Sequence, residues 1–129
     1  MKSVFSYLLP LAALVLVGCS AGRNPSSAAK YFYTSIAEGE YAQALAATTI
    51  SEDIDPEIYY AIMDKVNHSI AERGGIERID VESELIAEDG LSAVVKSRIT
   101  YTDGTSQIEE CDVVLQEKAW RVDVNLDSK

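Results

Sequence analysis

Histidine occurs once in this chain and cysteine twice, and acidic residues outnumber basic ones almost two to one. Each scarcity excludes something. The lone histidine, His68, cannot join a second one on a metal. No metal-spaced set of Cys or His, no glycine-rich phosphate loop and no nucleophile elbow is present in the sequence. With 11 Lys and Arg against 21 Asp and Glu, the chain is repelled by nucleic-acid phosphates and has no broad basic grip on anionic lipid. The charge leaves open a solubilising surface or a basic protein partner. No apolar run reaches the roughly 20 residues that a membrane-spanning helix needs. What is present is a 129-residue chain, 47% hydrophobic and 8% aromatic, too apolar to remain disordered and long enough for one packed core.

The longest apolar stretch, residues 4–17, follows Met1-Lys2 and ends at Leu16-Val17-Gly18-Cys19. A positive start, a short apolar run and small residues at its end are the layout of a secretory signal. The last four residues resemble the bacterial lipobox. That resemblance implies that residues 1–18 are removed and that Cys19 is lipidated, carrying a diacylglyceryl group and an amide-linked acyl chain such as palmitate. Several acyl chains anchor firmly where one does not. Ser20 rather than Asp after the cysteine implies, by the same resemblance, the outer membrane, facing the periplasm. Loss of the leader leaves ten basic and 21 acidic residues, net −11. Residues 19–27, small and polar after the cysteine, read as a tether, and residues 28–129 as the folded domain. With Cys19 lipidated, Cys111 has no partner within the chain and reads as a buried, inert thiol.

Periodicity gives three helices and then four strands. Ser26 or Ser27 caps the first helix, whose stripe is Ala29, Phe32, Tyr33 and Ile36, with Gly39 as its stop. A short second helix covers 40–48. Asp55 and Pro56 open the third, with Tyr59, Ile62, Met63, Val66 and Ile70 on one face and Gly74-Gly75 at its end. The period then falls to two. Ile79, Val81, Ser83 and Leu85 share one face of a strand over 77–87. Further strands cover 91–101, 106–116 and 119–126. A two-residue loop at Glu117-Lys118 brings Leu115 opposite Trp120. At Gly104 a three-residue, bulged loop keeps Glu110 and Asp112 off the core face. Glu82, Lys96 and Glu110 then become neighbours. The fold class is α+β: three N-terminal helices packed on a bent four-stranded antiparallel sheet.

Ala29-Lys30-Tyr31-Phe32-Tyr33, followed by Ala37-Glu38-Gly39-Glu40-Tyr41-Ala42-Gln43-Ala44, resembles the first two helices of the nuclear transport factor 2-like superfamily. Gln116-Glu117-Lys118-Ala119-Trp120-Arg121-Val122 resembles its last hairpin. Within that superfamily, the resemblance is to small bacterial lipoproteins of domain of unknown function 4878. It implies a cone-shaped fold with Phe32, Tyr33, Tyr59, Met63, Tyr101 and Trp120 as cavity lining. It also leaves open a homodimer through the outer sheet face.

No catalytic residue, cofactor site or metal site is assigned. His68 falls opposite the stripe of its helix. Asp112, Asp123 and Glu110 form a surface cluster that Arg121 and Lys96 neutralise. The expected function is a non-catalytic binding or accessory lipoprotein with a protein partner or a small apolar ligand. The alternatives are an acidic immunity-type or exclusion-type protein and a cone-cavity enzyme.

Overall fold

A computed structural model describes residues 22–50 and 54–124. Cys19 and the leader lie outside the described residues. Three helices, α1 (Pro25–Ala37), α2 (Tyr41–Ala46) and α3 (Glu57–Glu72), precede β1 (Ile76–Ile86), β2 (Ser92–Tyr101), β3 (Ser106–Gln116) and β4 (Ala119–Val122). The strands form one antiparallel meander in chain order. The expected α+β architecture is what the structure has. No helix among the described residues is long and apolar enough to cross a membrane.

The helix ends follow local chemistry, with one correction at α1. Asn24, not Ser26 or Ser27, is its cap: Asn24 Oδ1 accepts from Ser27 N at 2.8 Å, and Pro25 takes the first turn. Residues 22–27, read as part of the tether, are therefore structured. The Gly22 carbonyl accepts from Trp120 N at 2.9 Å, and Pro25 is buried. The end of α1 is as expected, with Gly39 at φ 78° and Glu40 N reaching back to Ser35 O. α2 is shorter than expected, and Thr48 leaves it to bridge Val122. α3 ends in a Schellman turn, Gly75 N to Ile70 O and Gly74 N to Ala71 O. That turn is fastened to the β2–β3 loop by Thr102 N to Gly75 O and Asp103 N to Arg73 O, both 3.0 Å.

Both later hairpins have the expected register. Tyr101 N bonds Thr105 O across a three-residue loop with Gly104 at φ 93°, so Lys96 faces Glu110. Glu117 and Lys118 both have positive φ, as a two-residue type I′ loop requires, and Leu115 faces Trp120. The strand of β4 stops at Val122 rather than near residue 126.

The first hairpin departs from expectation. Val81 pairs with Ser97 but Ser83 pairs with Lys96, so Glu82 is an extra residue, a bulge. A one-residue slip turns every later side chain to the other face. Ser83 and Leu85, expected inward, lie instead opposite Lys96 and Val94 on the outer face, and Leu85 is 68% exposed. Glu84 swings inward and accepts from Ser26 N at 3.1 Å and Ser26 Oγ at 2.5 Å. A carboxylate there suits the positive end of α1. Glu82 itself pairs with Arg98 at 2.8 Å, not with Lys96.

α1 crosses the concave face of the sheet. Ala28 and Ala29 pack with Ala93, Val95, Cys111, Val113 and Val122 in one core cluster. Ile36, Ala44, Met63, Ile70, Ile99 and Tyr101 form a second. Phe32 and Tyr33 touch both.

Gly74 has φ 88° and a Cβ there would collide with Thr102 Oγ1. Gly74→Ala is expected to cost roughly 1–3 kcal/mol, read as a lower urea midpoint. An unchanged midpoint would show that the contact between α3 and the β2–β3 loop is not needed.

Candidate functional site

The second core cluster is incomplete. α1 fills the concave face at the end of the sheet that carries the β1–β2 and β3–β4 turns. α3 packs on α1 and α2 instead of lying flat on the strands. A pocket of about 400 Å³ remains between α3, α1 and the far half of the sheet. Its floor is Ile99 and Tyr101 of β2 with Gln107 and Glu109 of β3, and its roof is the stripe of α3.

Phe32, Tyr33, Tyr59, Met63 and Tyr101 all line it, as the sequence led us to expect. Trp120 does not. It packs on the first cluster, in the row of Leu91 and Leu115. That row is eight residues along β2 from Ile99, roughly 26 Å at strand rise. Alternation placed Trp120 on the inward face, but not at the right distance along it. The α3 stripe also differs from expectation. Met63 and Ile70 are buried, whereas Ile62 and Val66 are 41% and 42% exposed although both line the pocket.

The polar side of the pocket was not singled out in the sequence. Arg73 Nη1 donates to Gln107 Oε1 at 3.2 Å, and Gln107 Nε2 donates to the Glu109 carboxylate. The Arg73 guanidinium lies 4.8 Å from the centre of the Tyr101 ring, a cation–π distance. Burial, aided by Cys111 and Glu109 nearby, holds the Tyr33 hydroxyl well above its ordinary pKa. Burial does the same at Tyr101, where Arg73 opposes it and Glu109 reinforces it. Both phenols therefore stay protonated donors. The available signal for Glu109 was its place in an inward series with Cys111, Val113 and Leu115. A carboxylate at a core-facing position needs a reason. Next to it, opposite on β2, Ser97 Oγ is buried without a hydrogen-bond partner among the described residues.

Other candidates fall outside the pocket. The side chain of His68 is 72% exposed beside Asp64. Asp112 and Asp123 are adjacent, Asp123 N bonding Asp112 O at 2.8 Å. Arg121, expected to neutralise them, instead donates to Ala46 O at 2.7 Å. No group of His, Cys, Asp and Glu among the described residues is arranged to hold a metal ion.

No protein-family model matches this chain, and no curated protein does. One solved structure is similar: the crystal structure of a Campylobacter jejuni protein provisionally named an NTF2-like transpeptidase. The TM-score is 0.63 at 19% identity, covering 79% of this chain and 99% of that one. At that identity the likeness establishes a nuclear transport factor 2-like fold.

Cys111 is buried, and burial pushes its thiol up from 9.0 to about 11. A thiol so much harder to ionise has a roughly hundredfold smaller thiolate fraction at pH 8. Modification by a thiol reagent is expected to be slower than in the urea-unfolded chain by at least that factor. The folded state holds this proton more tightly than the unfolded chain. Stability is therefore full below about pH 9 and falls towards pH 11. Cys111→Ala should remove that part of the alkaline loss. Equal labelling rates in the two states would refute the burial.

Proposed function

We propose that this protein is a lipid-anchored lipoprotein of the bacterial envelope, held at Cys19 and facing the periplasm from the outer membrane. Its domain binds a small, mainly apolar molecule in the cone pocket without converting it. The anchor rests on the lipobox resemblance. The binding role rests on one observation: Ile62 and Val66 stay over 40% exposed while lining a concave apolar pocket. An apolar body in that space would take both from water, each worth roughly 1 kcal/mol. The tyrosine hydroxyls and Glu109 fix its orientation, the usual division of labour in such pockets.

The test is titration with the apolar dye N-phenylnaphthylamine. Ile62→Asp and Val66→Asp lie at half-exposed sites and should keep the fold, checked by circular dichroism. Each is expected to weaken dye binding about tenfold, or 1.4 kcal/mol. Dye binding that is undetectable in the parent, or unchanged in both variants, would overturn the reading.

A second reading, a cone-cavity enzyme, is favoured by the Glu109 carboxylate facing Tyr33 and Tyr101 inside the pocket. The name of the Campylobacter jejuni protein contains an acyl-transfer activity, which calls for a nucleophile. Cys111 is a poor one here, with its thiol pushed up to about 11. Native mass spectrometry of protein from its own host separates the two readings. A binder and its Glu109→Gln variant should retain a species of one mass. An enzyme variant should instead retain an unconverted species of different mass.

A further inference from the structure

We infer that the end of the sheet carrying the β1–β2 and β3–β4 turns rests on a zwitterionic phospholipid surface, with the pocket at the far end. This rests on the Cys19 anchor reading. Three observations carry it. The first is where the chain enters the domain. The Gly22 carbonyl is held by Trp120 N at 2.9 Å. A Cβ at Gly22 would come to 3.2 Å of Trp120 O, so the chain runs tightly along this edge. Three Cα steps separate Gly22 from Cys19, at most about 11 Å. A lipid on Cys19 is therefore tethered within that reach of Gly22, and so to this end of the sheet.

The second is apolar exposure at the same end. Leu85, Ile86 and Leu91 are 68%, 52% and 55% exposed. They flank a single turn, residues 87–90. Leu91 bonds through its carbonyl to Leu115 N at 2.9 Å, and Leu115 faces Trp120. The row Leu91, Leu115, Trp120, Gly22 crosses three spacings, about 14 Å. The Glu82 bulge is what puts Leu85 on the outer face beside Val94. The apolar side chains therefore surround this end on both faces of the sheet.

The third is charge. The two turns carry Glu88, Asp89 and Glu117 with Lys118, and Arg23 follows Gly22. Glu84, Asp112, Arg121 and Asp123 lie just inside. The balance is mildly acidic, so an anionic surface repels this end. The turn carboxylates must also stay hydrated. Contact is therefore shallow, at headgroup depth, where a tryptophan sits well.

The chain contains one tryptophan, which makes Trp120 a native reporter. The experiment uses the full lipidated protein in vesicles of phosphatidylcholine brominated in the acyl chains. Relative to vesicles without bromine, emission from the half-buried Trp120 is expected to fall, most with bromines at the acyl positions nearest the headgroup. The loss should be smaller in vesicles half phosphatidylglycerol. Leu85→Ser/Leu91→Ser changes only exposed positions and should abolish most of the quenching. Equal emission in brominated and unbrominated vesicles, with Cys19 lipidated by intact mass, overturns the docking alone. Quenching that the double variant leaves intact overturns it too. Protection of residues 85–91 from hydrogen exchange with Trp120 unquenched would place a second copy there instead, and also overturns it. A Cys19 without lipid removes the anchor and the docking together.

Discussion

The close approach of α1 to the sheet is the constraint on which everything else depends. Ala28 and Ala29 meet Ala93 and Val95, and small side chains let the helix backbone sit low on the strands. One helix then fills one end of the concave face and leaves none of it to share. α3 must pack beside α1 rather than under it. Its stripe faces a gap that only Met63 and Ile70 close. The pocket is the remainder of that arrangement, not a cavity cut into an otherwise complete core. Larger residues at 28 and 29 would lift α1 and redistribute the space.

A second local event, the extra residue at Glu82, decides how the first hairpin is used. Before it, Ile79 and Val81 face the core opposite Ile99 and Ser97; after it, Glu84 and Ile86 turn to that side of the sheet, beyond the core and exposed. The inversion supplies α1 with a carboxylate at its amino end. It also exposes Leu85. A bulge that helps hold the central helix therefore also creates apolar surface at the end of the sheet where the chain enters the domain, on the opposite edge strand.

The two ends of the sheet consequently differ in kind. The turns at 87–90 and 117–118 lie at one end, where Leu85, Ile86 and Leu91 are exposed and Gly22 meets Trp120. The other end gathers Arg73, Tyr101, Gln107 and Glu109 around the pocket. Gln107 relays between Arg73 and Glu109, which fixes its amide and leaves Glu109 without a directly bonded cation among the described residues.

The sequence by itself determined the elements, their order and most of their pairing. Those depend on short-range physics: period, caps and turn residues. Gly39, Gly74 and Gly104 stop helices or shape a loop wherever they stand, and the 117–118 loop sets Leu115 against Trp120 without help from distant residues. Five of the six residues expected at the cavity were legible for the same reason, because they lie on inward stripes. Tertiary structure decided the rest. Whether an inward residue meets packing or empty space depends on how low α1 sits, which put Trp120 in the filled half and Glu109 in the open one. The Glu82 bulge belongs to the same class. Alternation across 79–85 reads as one unbroken face, and only the simultaneous demands of α1 and of β2 favour the slip. Period and turn chemistry are properties of neighbours in the chain, whereas vacancy and register slip are settled between segments that meet only in the fold.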